Sequence, residues 1–77
     1  RQPIEIGGAV VLVAGGPLRF QLKEPGGPVF IVGLKPNQRY DVEVDDEEMR
    51  EERTDPGGIL KLPAGTRGGI RLRPAPQ

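Results

Sequence analysis

The sequence predicts an all-β fold, a small antiparallel β-sandwich of about six to eight short strands. Its apolar residues fall in short runs rich in valine, isoleucine and leucine, and several of these runs alternate with polar residues. Twelve glycines and nine prolines lie mainly between the runs, where they predict turns and loops. The stretch 34–40 is a third observation. Here an apolar strand end, a proline turn and a tyrosine that opens an alternating strand together predict a tyrosine corner.

Four strands are predicted before this corner. Ile4 and Ile6 alternate with other residues, which indicates a short edge strand or an ordered arm. Residues 9–13 form a β-branched run between glycine pairs, and residues 18–22 alternate as a half-buried strand does. The connection at 14–17 is short enough to make these two strands a β-hairpin.

The strand that leads into the corner, residues 29–32, is apolar at every position, so we expect it to be central and covered on both faces. Leu34 and Pro36 are the predicted supports of the corner, in which the hydroxyl of Tyr40 bonds back to the backbone a few residues upstream. The apolar residues of 40–44 are predicted to face the core, while the acids between them face water.

The segment after the corner begins with a polar turn at 45–48. Residues 49–54 are ambiguous, because their composition also suits a helical turn, but turn signals on both sides favour an exposed strand. The remaining predicted elements are a turn at 54–58, a strand at 59–62, a loop at 63–69, a strand at 70–73 and a frayed tail at 74–77.

Length and composition limit the kind of protein. The 77 residues suffice for one domain, 1–77, with a small core and no cysteine for a disulfide or a thiolate metal site. Eleven basic and eleven acidic residues cancel, and no apolar run approaches the ~20 residues that span a bilayer. We therefore expect neither nucleic acid nor a membrane as partner, and we expect a monomer. The first residue is not methionine, which suggests a processed product or a domain of a longer protein.

Catalysis is not expected. The chain has no histidine, cysteine or serine, and its only hydroxyl groups belong to Tyr40, Thr54 and Thr66. A nucleophile needs a neighbouring base, and the usual base is absent. Two carboxylates could act as they do in a glycosidase, but the acids lie on a predicted exposed hairpin rather than in a cleft. We predict no catalytic residue and no cofactor.

Acidic residues concentrate in one segment, since nine of the eleven lie between 41 and 55. Their spacing loosely resembles a calcium-binding loop, but Asp46 stands where such a loop needs glycine, so we predict no metal site. A solvated acidic turn beside Arg50 and Arg53 is the alternative explanation for the cluster of acidic residues. The alternative function is a binding module that uses the hairpin 41–55 for a cation or for a basic or carbohydrate partner. Its candidate ligand residues are Asp45, Asp46, Glu47 and Glu48.

Carbohydrate binding has no support from the aromatic residues. The chain has no tryptophan, and Phe20, Phe30 and Tyr40 fall at predicted core or corner positions. An exposed aromatic platform for sugar rings is therefore not expected, although a carbohydrate partner stays open.

Two segments resemble known modules. Residues 34–44 resemble the Leu-x-Pro-x-x-x-Tyr-x-Val-x-Val signature of fibronectin type III and related immunoglobulin-like domains. Residues 54–65 resemble the closing hairpin of small β-sandwich modules at the C-termini of bacterial secreted proteins, many of which act on polysaccharides. The resemblance implies an immunoglobulin-like or related topology. Because only 33 residues precede Leu34, we expect a strand order different from that of fibronectin type III domains.

These observations predict a non-catalytic accessory module. We expect it to pack on, or to space, an upstream domain of a larger protein. The resemblance implies that this protein is bacterial and exported, in the extracellular space or the cell envelope, and that it acts on polysaccharides in some cases. We expect residues 4–13 to form the packing contact, because they carry more apolar side chains than one face of an edge strand can hide.

Overall fold

The computed structural model describes residues 3–47 and 50–76. Within these ranges the chain forms eight short strands and no helix, which confirms the all-β prediction. The strands are β1 (Ile4–Ile6), β2 (Ala9–Val13), β3 (Arg19–Leu22), β4 (Val29–Val32), β5 (Arg39–Val44), β6 (Arg50–Arg53), β7 (Leu60–Leu62) and β8 (Gly68–Pro74).

The strands form two four-stranded sheets that share one core. The first sheet has the order β1-β2-β4-β7 and the second the order β3-β8-β5-β6. Neighbouring strands are antiparallel except β2 and β4, which are parallel. This order differs from the order ABED and CFG of immunoglobulin constant domains. A relationship to those domains stays a prediction.

The predicted hairpin between β2 and β3 is wrong. The two strands lie in different sheets, so residues 14–17 cross from one sheet to the other. Each strand buries alternate residues. Because of the crossing, β2 and β3 contribute these residues to the core from opposite sheets. The side of β2 that a hairpin partner would occupy is taken by β4, which runs in the same direction. The N–H of Ala14 donates to the carbonyl of Val32 at 2.9 Å and extends this parallel pairing.

The core follows from strand alternation. Its buried side chains, among the described residues, are Val10, Leu12, Leu22, Val29, Ile31, Leu34, Tyr40, Val42, Leu60, Leu62, Ile70 and Leu72. β4 is central in its sheet, as predicted, but only Val29 and Ile31 are buried. Phe30 and Val32 point to the other side and are half-buried, because the first sheet has the core on one side only. The expectation that β4 is covered on both faces is therefore wrong.

Residues 50–53 and the first part of the predicted tail 74–77 both lie against the second sheet. Arg50–Arg53 pairs with β5, which confirms the strand interpretation of this segment, while Met49 lies outside the described residues. Pro74 ends β8, and Ala75 is buried and donates its N–H to the carbonyl of Arg39 at 2.9 Å. The ordered sheet thus extends into the tail predicted at 74–77, whose last residue lies outside the described ranges.

Candidate functional site

The loop between β4 and β5 carries the chain from the first sheet to the second, and Tyr40 holds it in place. The Tyr40 ring is only 3% exposed, and its hydroxyl accepts a hydrogen bond from the N–H of Lys35 at 3.1 Å. Leu34 is buried in the core and donates its N–H to the carbonyl of Gly58 at 3.1 Å. A bond between the Tyr40 hydroxyl and the backbone five residues upstream is what a tyrosine corner requires, and the assignment of a corner stays a prediction. Pro36 is exposed.

Thr54 anchors the same loop from the other side, a role that no pattern in the sequence indicated. Its side chain is 3% exposed. The hydroxyl accepts a hydrogen bond from the N–H of Gln38 at 2.8 Å and donates one to the carbonyl of Lys35 at 2.6 Å. The N–H of Thr54 also donates to the carbonyl of Gln38 at 2.9 Å. One side chain therefore satisfies two backbone groups that lie 16 and 19 residues away in sequence.

Thr54→Val is expected to lower the free energy of unfolding by about 1–3 kcal/mol, because it keeps the shape of the side chain but leaves the Gln38 N–H and the Lys35 carbonyl without a partner. Thr54→Ser, the matched control, keeps the hydroxyl and loses one methyl group, worth about 0.8 kcal/mol. Urea unfolding of both variants distinguishes the two effects. A serine variant as destabilised as the valine variant would contradict the anchoring role of the hydroxyl.

The acidic turn between β5 and β6 uses its own acids to hold its shape. Asp45 and Asp46 have φ angles of 54° and 60°, as both central residues of a type I′ turn do. The turn closes through the N–H of Glu47, which donates to the carbonyl of Val44 at 3.0 Å. The Asp45 carboxylate accepts a hydrogen bond from the N–H of Gly69 at 3.0 Å. Two of the candidate ligand residues thus shape the turn, and Glu48 lies outside the described residues.

The outer side of the second sheet carries a lattice of opposite charges, which we name the charged face. Arg39 pairs with Glu51 at 3.4 Å, and Arg73 pairs with Asp41 at 3.6 Å. Arg71 pairs with Glu43 and, at 3.2 Å, with Asp46. The residues of the charged face are Arg19, Arg39, Asp41, Glu43, Glu51, Arg53, Arg71 and Arg73.

These ion pairs engage much of the acidic segment. Hydrogen bonds to the Glu43 carboxylate, and its charge, raise the pKa of the Arg71 guanidinium above its usual range. Within residues 3–47 and 50–76, no group of three acids is arranged to hold a metal ion. A ligand for the hairpin 41–55 stays a prediction, and the contacts that the structure shows for its acids are to arginines and to the backbone.

The outer side of the first sheet has the opposite character. Ile4 pairs with Val11 in the ladder, and Val11 pairs with Phe30, so all three point away from the core. The same register places the other outward residues of β1, β2 and β4 beside them. We name this surface the outer apolar face, and its residues are Ile4, Ile6, Ala9, Val11, Val13, Phe30 and Val32.

This face is open to water. Ile4 is 47% exposed, Ile6 62% and Val13 36%. Phe30 is half-buried and not a core residue, which corrects the prediction that it lies in the core, and the ammonium of Lys61 lies 5.8 Å from the centre of its ring. Lys61 is the outward residue of β7, so the described part of this face has one charge, at its border.

The three hydroxyl groups of the chain all bond to the backbone. Those of Tyr40 and Thr54 hold the loop between β4 and β5, and that of Thr66 donates to the carbonyl of Pro63 at 2.7 Å. In the described ranges none of the three forms a hydrogen bond with a carboxylate that could act as a base.

Comparison of the chain with protein-family models, with curated proteins and with solved structures finds no match. The described residues contain no helix that is long and apolar enough to cross a membrane.

Proposed function

We propose that the chain is a non-catalytic accessory module that packs on a neighbouring domain of a larger protein through the outer apolar face. The observation that carries this proposal is the contrast between the two outer surfaces of the sandwich. One holds eight charged residues, six of which form ion pairs with one another, and the other holds seven apolar residues and a border lysine. Water solvates the first well, whereas burial of the second against an apolar surface is favourable at about 25 cal/mol per Å².

The size of the face favours a covalently attached partner. Three strands about 4.8 Å apart and about four residues long present roughly 150–250 Å². A stable complex between free proteins buries roughly 800 Å² on each partner. A domain in the same polypeptide is present at a millimolar effective concentration, so a smaller contact suffices to hold it. We therefore favour a neighbouring domain over a free partner.

The hydroxyl groups support the non-catalytic part of the proposal. Tyr40 and Thr54 are buried and occupied by hydrogen bonds to the backbone, and the chain offers no histidine, cysteine or serine in their place. The resemblance of residues 34–44 and 54–65 is the basis for a further part of the proposal, that the larger protein is bacterial and exported.

The test is Ile6→Lys, made both in the isolated chain and in the chain joined to the sequence that flanks it in its gene. Because Ile6 is 62% exposed, the free energy of unfolding of the isolated variant should lie within about 0.5 kcal/mol of that of the parent chain. In the longer protein the lysine must be buried at the domain contact, so the thermal midpoint should fall and a protease should release the module faster.

Arg53→Gln is the matched control, since it changes one exposed residue of the charged face and should affect neither form of the protein. Equal behaviour of Ile6→Lys and Arg53→Gln in the longer protein would overturn the packing role. Saturable binding of one glycan to the isolated chain would overturn the structural role as a whole.

A further inference from the structure

The edge of β3 is the least protected strand edge in the described part of the fold. The edge strands are β1 and β7 in the first sheet and β3 and β6 in the second. β1 and β7 have three residues each, and every residue of β6 is charged. Short length and charge are the usual features that keep an edge from pairing with another chain. β3 has four residues, and Arg19 is its one charge.

The hydrogen-bond ladder shows which backbone groups this edge offers. The N–H of Leu72 donates to the carbonyl of Leu18 at 2.9 Å, and antiparallel ladders alternate between bonded and non-bonded pairs. The backbone N–H and carbonyl of Phe20 therefore form hydrogen bonds with β8, while the N–H and carbonyl groups of Arg19 and Gln21 point away from β8. These four groups lie in the arrangement that one more antiparallel strand would bind.

The charge at this edge is not balanced within the sheet. Arg19 stands directly opposite Arg71, and like charges in that position are unfavourable. Arg71 is compensated by Glu43 and Asp46, whereas Arg19 takes part in none of the ion pairs of the described residues. A carboxylate on an added strand, opposite Arg19, would balance it.

The space beside the same edge offers room for apolar side chains. A hollow of about 210 Å³ lies beside β3, lined by Val13, Arg19, Phe20 and the residues 15–17. Phe20 is half-buried and Val13 is 36% exposed, so both can contact an added strand. Residues that flank the residue opposite Arg19 would point to the same side of the sheet as Phe20, since strand side chains alternate.

We propose that the edge of β3 binds an extended peptide segment as an additional strand, with an acidic residue opposite Arg19 and apolar residues on either side of it. Main-chain hydrogen bonds to Arg19 and Gln21 supply affinity, and the carboxylate and the apolar pair select the sequence, as in other cases of strand addition. This site is on the edge of the second sheet, and it shares Val13 with the outer apolar face but does not involve β1 or β4.

The experiment titrates the isotope-labelled chain with the blocked peptide Thr-Val-Asp-Val-Thr and follows the backbone amides by NMR. We expect the largest shift changes at the amides of Arg19 and Gln21. The same peptide with lysine in place of aspartate should bind about fivefold or more weakly. Arg19→Glu should reverse this preference, so that the lysine peptide binds more tightly than the aspartate peptide.

Gln21→Pro and Gln21→Thr form a matched pair. The proline removes an N–H that points away from β8, so it costs no bond within the sheet and should abolish the response, while threonine should preserve it. The charge reversal at Arg19 keeps the proposal testable if the proline variant fails to fold. The proposal is overturned if millimolar peptide shifts no amide between 19 and 21. It is also overturned if binding ignores the charge at Arg19, or if β3 instead pairs with a second copy of the chain.

Discussion

Tyr40→Ala is expected to lower the free energy of unfolding by about 3–5 kcal/mol, as truncation of large aromatic residues in a core does. The ring is 3% exposed, so its removal leaves a cavity between the two sheets. It also removes the hydroxyl that accepts the Lys35 N–H. A domain of this length has a total stability of roughly 4–12 kcal/mol, so the variant should be largely unfolded or close to it. Circular dichroism during urea titration measures the loss.

Tyr40→Phe separates the hydrogen bond from the packing. It keeps the buried ring and removes the hydroxyl, so we expect a loss of about 0.5–1.5 kcal/mol. An unchanged urea midpoint in Tyr40→Phe would show that the bond from Lys35 contributes nothing. A small loss in Tyr40→Ala would show that the ring is not a central part of the core.

Gly58→Ala is expected to destabilise the fold by about 2–6 kcal/mol, from two causes that act together. Gly58 has a φ angle of 77°, in the left-handed region that residues with a Cβ adopt at a cost. A Cβ at this position would also overlap the carbonyl oxygen of Leu34. Leu34 and Gly58 are joined by a backbone hydrogen bond of 3.1 Å, so neither can move without breaking it.

Gly65→Ala is the matched control, because Gly65 has a similar φ angle of 89° but a Cβ there meets no atom within 4 Å. Gly65→Ala should lower the free energy of unfolding only by the cost of the left-handed backbone conformation, about 1–2 kcal/mol. Thermal unfolding of the two variants therefore measures the cost of the close approach to Leu34. Equal losses in the two variants would contradict the overlap at Gly58.

Much of the strand structure could be predicted because it depends on local pattern. The alternation at 40–44 places Tyr40 and Val42 in the core, and the structure confirms both. The turn signals around β6 decided correctly between a strand and a helical turn. In each case the determining residues are adjacent in the chain, so their periodicity is visible without knowledge of the pairing.

The parts that could not be predicted depend on residues far apart in sequence. A four-residue connection suits a hairpin and a crossing between sheets equally well, so residues 14–17 did not reveal which one forms. Thr54 is an isolated polar residue whose partners, Lys35 and Gln38, become neighbours only after folding. The outer apolar face likewise exists only because β1, β2 and β4 lie side by side.

The position of β8 determines when the second sheet can form. β8 lies between β3 and β5 and is the last of the described strands, so during synthesis both of its neighbours emerge well before it. Until then the apolar side chains of β3 and β5 have no partner strand to bring them together, and only the hairpin of β5 and β6 can form locally. Folds dominated by such distant pairings fold slowly, on a timescale of about milliseconds to seconds. A nascent chain therefore cannot complete its second sheet until residues 68–74 have been synthesised.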